Sequence, residues 1–118
     1  MDIIKFLHEK FNKKININLK NKEDYTIFMI AANNKSVDII TFLHTNYEKE
    51  FETNINVQNT NGDSAFMIAA NNPNVDIIKF LNEKFPNKIN INLKNKEDYT
   101  IFMNAANNKS VDIITFLY

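Results

Sequence analysis

The sequence repeats itself at two scales. Residues 1–44 and 75–118 are identical at 38 of 44 positions. Within these blocks an aspartate followed by Ile-Ile recurs at spacings of 36, 38 and 36 residues. Repeats of this length are typical of solenoids, in which each unit buries its apolar face only against its neighbours. The four aspartates are Asp2, Asp38, Asp76 and Asp112.

Two short kinds of segment recur in each unit. The first, at 14–21, 53–59 and 88–95, alternates Ile, Leu or Val with Asn or Lys and predicts extended chain. The second predicts a helix of about two turns that begins at a capping hydroxyl and ends at an Asn-Asn pair. The capping hydroxyls are those of Thr26, Ser64 and Thr100.

The third kind of segment predicts a longer amphipathic helix. It begins at a capping residue, carries an aspartate where the helix dipole favours negative charge, and shows an apolar stripe. In the middle unit extra residues follow it, and we expect the helix to continue to Phe51. The capping residues are Ser36, Asn74 and Ser110.

The letters of these units resemble the ankyrin repeat. The segment "NTNGDSAFMIAANNPNVDIIKFL" at 59–81 is similar to the family pattern D-x-x-G-x-T-P-L-H-x-A-A-x-x-G-x-x-x-I-V-x-x-L-L. The resemblance implies an all-α, ankyrin-type solenoid of stacked helix-turn-helix repeats with extended finger loops. It divides the chain into a half repeat at 1–14 and full repeats at 15–52, 53–88 and 89–118.

Departures from the family pattern carry further expectations. The finger glycine survives as Gly62 but is Asp24 or Asp98 elsewhere, and aspartate tolerates a positive φ better than most residues. The family's glycine between the two helices is also replaced. We therefore expect the preceding asparagines to form left-handed helix ends. These are Asn34, Asn72 and Asn108.

Both ends of the array carry apolar helices. Asn104 replaces the isoleucine of the other units, which indicates a capping change at the last one. The neighbouring apolar residues are nevertheless the same as inside the array. The chain is therefore expected to be part of a longer array, or a short protein whose terminal helices meet other molecules.

Composition excludes several classes of function. The formal net charge is zero, which argues against a nucleic-acid partner. The chain has no cysteine and no apolar run long enough for membrane insertion, so we expect an intracellular protein. His8 and His44 stand alone, are expected on exposed helix surfaces, and predict no metal site. We therefore expect no catalytic residue and no cofactor, and an enzyme would need a further domain.

The resemblance implies a partner-binding groove lined by finger tips and helix ends. Tyr25 and Tyr99 are the best anchors by chemistry, unless they pack along their own fingers. The Asn-Asn pairs would offer donors and acceptors to a peptide backbone, unless one Asn of each pair only ends its helix. The candidate residues are Lys22, Glu23, Tyr25, Asn33, Asn34, Thr60, Asn61, Asp63, Asn71, Asn72, Lys96, Glu97, Tyr99, Asn107 and Asn108.

The sequence therefore favours a non-enzymatic interaction module that binds a protein or peptide on its concave face. The alternative is a structural unit or scaffold segment that self-associates through its terminal helices. A different fold is also open, in which the alternating segments line up as a parallel sheet as in leucine-rich solenoids. We rank it lower because two helical segments per unit are readable.

Overall fold

The structure of the protein, a computed structural model, describes residues 2–11 and 14–107. Across these two ranges the regular elements are helices and no strand forms, so the all-α solenoid is confirmed and the parallel-sheet alternative is removed. The helices are α1 (Asp2–Phe11), α2 (Ile27–Ala32), α3 (Asp38–Asn46), α4 (Glu48–Asn54), α5 (Ala65–Ala70), α6 (Val75–Lys84) and α7 (Ile101–Ala106).

The short helices α2, α5 and α7 form one layer of the stack. Each begins as predicted, after a hydroxyl that accepts a hydrogen bond from the backbone N–H three residues further on. Each ends at the first residue of an Asn-Asn pair. The three caps join Met29 N to Thr26 Oγ1 at 3.2 Å, Met67 N to Ser64 Oγ at 3.3 Å, and Met103 N to Thr100 Oγ1 at 3.4 Å.

Alanine pairs let these helices approach one another. α2 packs against α5, and α5 packs against α7. A larger side chain at the contact would hold the helices apart, because protein interiors leave almost no spare volume. Phenylalanine and methionine side chains fill the space around the pairs. The buried members of these pairs are Ala31, Ala32, Ala69, Ala70 and Ala105.

The longer helix of the middle unit does not continue to Phe51, so that expectation was wrong. α3 ends at Asn46, and Tyr47 breaks the helix with φ −138° and ψ 45°. A separate helix, α4, then folds Phe51 into the core between Phe28 and Phe85, at ring-centroid distances of 4.4 and 4.9 Å. A continuous helix would have carried Phe51 about 12 Å beyond Leu43, away from these rings.

The alternating segments at 14–21, 53–59 and 88–95 form turns, so the expectation that they are extended chain was wrong. In each, an Asn carbonyl oxygen accepts a hydrogen bond from the backbone N–H three residues on. In two of them the Asn side chain also accepts from the N–H two residues on, at 3.1 Å for Asn16 and 3.0 Å for Asn90. This local bond competes with extended backbone. The turns are Asn16–Leu19, Asn54–Val57 and Asn90–Leu93.

His8 and His44 are not on open helix surfaces, contrary to expectation. Each imidazole is partly buried and meets two aromatic rings of the following unit edge-on. Two aromatic residues recur four and nine residues after Asp2, Asp38 and Asp76, and this pattern could have revealed the contact. The ring centroids lie 5.4 Å (His8 to Phe42), 5.2 Å (His8 to Tyr47), 5.7 Å (His44 to Phe80) and 5.6 Å (His44 to Phe85) apart.

His8 also makes a hydrogen bond across this contact. Its Nδ1 lies 2.6 Å from the hydroxyl oxygen of Tyr47. Burial of the Tyr47 ring and then the carboxylate of Glu50 raise the pKa of that hydroxyl above its ordinary value of 10.0. Both effects keep the hydroxyl protonated and available for the bond.

Asn34 and Asn72 do not form left-handed helix ends. Among the described non-glycine residues, positive φ is confined to Asp24, Asn87 and Asp98. The turn between the helices forms instead through the side-chain oxygens of Asn34 and Asn72. Each accepts a hydrogen bond from the backbone N–H two residues on, at 2.9 Å. Asn108 lies outside the described residues.

Asn104 is buried, so it does not form a polar outer face. The isoleucine at its position is 52% exposed in α2 but only 8% in α5, which α2 covers. The position therefore faces the preceding short helix, and Asn104 lies where α7 meets α5. Its Nδ2 has no hydrogen-bond partner among residues 2–11 and 14–107.

Asn72 ties two units together. Its side-chain Nδ2 donates to the backbone oxygens of Ala32 at 2.9 Å and Asn34 at 2.7 Å, both in the preceding unit. The side chain is only 4% exposed. Removing it would leave carbonyl groups without these donors in a place that water reaches poorly.

We predict that Asn72→Ala lowers the free energy of unfolding by about 2 kcal/mol. The adjacent Asn71 is exposed, so Asn71→Ala should change it by less than about 0.5 kcal/mol. Urea denaturation followed by circular dichroism measures both. Equal effects of the two substitutions would contradict the bonding role of Asn72.

Candidate functional site

The three finger loops share one local design. A single asparagine side chain organises each finger, because its Oδ1 accepts hydrogen bonds from the backbone N–H groups two and four residues on. All six bonds measure 2.9 or 3.0 Å. Sequence reasoning missed these residues, although an asparagine stands three positions before the Asp or Gly of every finger. They are Asn21, Asn59 and Asn95.

The finger position with positive φ is as predicted. The angle is 61° at Asp24, 82° at Gly62 and 62° at Asp98. In the middle finger glycine is needed for a second reason, because a Cβ there would lie 2.8 Å from the backbone atoms Cα of Asn95 and N of Lys96. The third finger therefore passes too close to Gly62 to leave room for a side chain there.

Consecutive fingers are joined by their backbones. The N–H of Thr60 donates to the oxygen of Glu23 at 2.9 Å, and the N–H of Lys96 donates to the oxygen of Asn61 at 2.9 Å. These bonds make the three tips one continuous row. We call the row, with its side chains at 22–25, 60–63 and 96–99, the finger surface.

Two side chains strengthen the contact between the second and third fingers. Gln58 Nε2 donates to the backbone oxygens of Gly62 at 2.7 Å and Lys94 at 2.9 Å. Asn95 Nδ2 donates to Asp63 Oδ1 at 3.0 Å. Asp63, expected among the partner-binding residues, is thus partly engaged within the stack.

The other predicted finger residues divide by exposure. Tyr99 is 40% exposed, whereas Tyr25 is half-buried and packs against the core. Tyr25 therefore offers less of its ring to a partner than Tyr99 does. The exposed tips are Lys22, Glu23, Thr60, Asn61, Lys96 and Glu97.

The two members of each Asn-Asn pair differ in exposure and in position. The first member of each pair ends its helix and is exposed, at Asn33, Asn71 and Asn107. The second member belongs to the turn, with Asn34 half-buried and Asn72 buried. A row of exposed amides therefore exists at the helix ends, with one amide per unit rather than two. The second member of the last pair, Asn108, lies outside the described residues.

The arrangement offers polar and aromatic contacts rather than reactive groups. Among residues 2–11 and 14–107 no three His, Cys, Asp or Glu side chains come together as metal ligands would. In the same part of the chain, every helix is too short or too polar to cross a bilayer. The chemistry on this surface is hydrogen bonding, charge pairing and contact by tyrosine.

Paired short and long helices, stacked in register and joined by finger loops, define a helical repeat solenoid. The family model described as "Ankyrin repeats (3 copies)" matches residues 48–118. The chain belongs to the ankyrin repeat family. Ankyrin repeats generally serve as modules for protein–protein interaction and are typically not catalytic.

One solved structure illustrates the likeness of fold. It is the crystal structure of the yeast ribosomal protein Rps3 in complex with its chaperone Yar1. The match has a TM-score of 0.78 at 20% sequence identity and covers 97% of this chain and 81% of the matched chain. No curated protein matches the sequence significantly.

We predict that Gly62→Ala lowers the free energy of unfolding by about 2 to 3 kcal/mol, because the new Cβ meets backbone at positive φ. The matched control is Asp98→Gly, which relieves positive φ at an equivalent tip and should change stability by less than about 1 kcal/mol. Thermal unfolding of both variants measures the difference. A Gly62→Ala protein as stable as the parent would show that the fingers separate easily.

Proposed function

We propose that the protein binds a protein or peptide partner on its concave face, through the finger surface and the exposed helix ends. The observation that carries the proposal is the continuous row of three fingers. Each finger is held internally by an asparagine, and each is bonded to the next through backbone groups. A surface fixed in advance loses little conformational entropy when a partner binds.

The side chains on this surface suit a polar partner with an aromatic or aliphatic contact. Charges of both signs stand on the outer fingers, as Lys22 beside Glu23 and Lys96 beside Glu97. Tyr99 supplies contact area with a polar tip. The exposed amides of Asn33, Asn71 and Asn107 can donate to and accept from a peptide backbone.

The domain division and the continuation into a longer array are part of the same proposal. Each finger bonds only to its neighbours, so repeats added at either end would extend the row without changing it. We propose the boundaries 1–14, 15–52, 53–88 and 89–118 on this basis.

The first test replaces the tyrosines. A Tyr25→Ala, Tyr99→Ala double variant should bind the partner at least about ten-fold more weakly than the parent, because tyrosines are common binding anchors. Affinity capture with crosslinking would recover candidates, and titration calorimetry would measure each one. The matched control is Lys79→Ala, Glu83→Ala, at exposed positions of α6. Equal affinity of the parent and the tyrosine variant would exclude the tyrosines as anchors.

The second candidate function is self-association. Apolar side chains are exposed at both ends of the described stack, on α1 (Ile3, Phe6) and on α7 (Phe102, Met103). Exposed apolar side chains of this kind favour contact between copies.

Light-scattering mass over a hundredfold range of concentration distinguishes the two candidates. A self-associating chain should gain mass as concentration rises, and Phe6→Glu should abolish the gain by placing a charge in the contact. A constant mass of one chain would remove self-association and leave the finger surface as the working face.

A further inference from the structure

The first long helix exposes side chains that its twin buries. Residues 2–11 and 76–85 have the same letters except at His8 and Asn82. Three apolar side chains of the first segment are at least 42% exposed, whereas their counterparts in the second are at most 3% exposed. α5 packs against α6 and is the kind of cover that α1 lacks. The pairs are Ile3 and Ile77, Leu7 and Leu81, and Phe11 and Phe85.

The same repetition extends to the polar contacts that hold residues 75–118, the C-terminal block, to residues 45–74, the middle segment. Hydrogen bonds and the ion pair of Glu52 with Lys88 join the two. Each residue of the C-terminal block that takes part has an identical counterpart 74 positions earlier, in residues 1–44, the N-terminal block. The counterparts of Lys88, Asn90, Lys94, Asn95 and Lys96 are Lys14, Asn16, Lys20, Asn21 and Lys22.

The apolar contact of the middle segment is repeated as well. Phe51, on α4, fills the middle junction, where the repeats 15–52 and 53–88 meet, by packing between Phe28 and Phe85. Within residues 2–11 and 14–107 only this junction contains such an inserted helix. The counterpart of Phe85 is Phe11, so the N-terminal block carries the ring that Phe51 meets on this side.

One buried position favours the N-terminal block in the place of the C-terminal one. Five positions differ between the blocks within residues 75–107, and Asn104 is the buried one among them. Its counterpart Ile30 is 52% exposed in α2, whereas Ile68, at the same position of α5, is 8% exposed. Ile30 in the place of Asn104 would be buried as Ile68 is, and burial of apolar surface is favourable.

The opposing cost is local. Lys13 would stand in the place of Asn87, whose φ is 61°, and lysine adopts this conformation less readily than asparagine. An exchange of blocks breaks one contact between a middle segment and a block for each contact that it makes. The balance is therefore close, and a rise in concentration shifts it toward joined chains.

We propose that two copies of this chain join by block exchange, in which residues 1–44 of one copy replace residues 75–118 of the other against its middle segment. The replaced block is released when the link at 71–74 opens, as in domain swapping. In the joined array every middle segment keeps a block on each side. This inference rests on the second candidate function, self-association, and names the segment that the second copy supplies and the place that it takes.

The chain has no cysteine, so single cysteines can trap the joined state. One copy carries Asn61→Cys and the other Lys22→Cys. The oxygen of Asn61 accepts from the N–H of Lys96, the counterpart of Lys22, at 2.9 Å, so block exchange brings the two cysteines together. The copies are unfolded in urea, mixed and refolded at about 1 mM, near the effective concentration of a block on its own short link, and then oxidised. We expect a mixed disulfide by mass spectrometry, and we expect its loss when refolding follows a hundredfold dilution.

Two control variants accompany this experiment. Lys79→Cys, at an exposed position of α6, replaces Lys22→Cys and should give at least about ten-fold less product, because cysteines that are held apart cannot bridge. Asn104→Ile in both copies should lower the yield about ten-fold, because the C-terminal block then buries an isoleucine in its own place. Contact between the exposed ends does not involve this buried position and should be unchanged.

Equal yields from the Lys22→Cys and Lys79→Cys copies would overturn the proposal, and so would a yield that Asn104→Ile leaves unchanged. A disulfide formed with Lys96→Cys but not with Lys22→Cys would contradict it too, because the copies would then exchange only their C-terminal blocks. A mass that rises with concentration without the mixed disulfide would exclude block exchange and leave contact between the exposed ends. A constant mass of one chain would remove the second candidate function as well.

Discussion

The stack depends on asparagine amides that bond the backbone of a neighbouring unit. Asn72 and Asn74 reach back to the turn of the preceding unit, where Asn74 Nδ2 donates to the oxygen of Lys35 at 2.9 Å. Asn56 accepts from the N–H of Asn90 in the next unit and also donates to the oxygen of Lys88, close to the boundary with that unit, both at 2.8 Å. A primary amide can donate and accept at once, so one residue type satisfies both kinds of backbone group.

This bonding explains how the fold forms with one glycine and without the family's polar Thr-Pro-Leu-His segment. Methionines at 29 and 67 are buried where that segment has histidine, and a thioether cannot replace the lost polar contacts. The asparagines provide polar contacts at other places, in the interhelical turns and along the segments after the longer helices. The short helices still pack against one another, but the polar contacts between units lie in the turns and in the segments after the longer helices.

Much of the architecture could be predicted because it depends on local chemistry that the repeat displays several times. The caps at Thr26, Ser64 and Thr100 and the positive φ at Asp24 and Asp98 are of this kind. The errors concern contacts between units. The break at Tyr47 follows from the burial of Phe51 against rings in two other segments, and the placement of His8 and His44 follows from aromatic residues of the next unit. A single-chain pattern of apolar and polar residues does not encode which neighbour a side chain will meet.

In the candidate site, too, local chemistry could be predicted and contacts between units could not. The finger tips could be located from the turn chemistry of each loop. The difference in exposure between Tyr99 and Tyr25 could not be predicted, nor could the difference between the two members of each Asn-Asn pair. Both depend on which residues the adjacent unit covers. Asn72 is the clearest case, since its exposed neighbour Asn71 has the same side chain and differs only in position.

The uneven filling of the junctions has a consequence for folding. A chain that carries two nearly identical blocks can in principle assemble out of step, with a unit of one block taking the place of its twin. In the middle junction Phe51, on the inserted helix α4, packs between Phe28 and Phe85, and Ala65 stands where the other units carry Ile27 and Ile101. A slipped arrangement would press a phenylalanine against isoleucine in one place and leave a hole in another. The middle unit, which has no near-identical copy in the chain, therefore makes the correct order of assembly the most stable one.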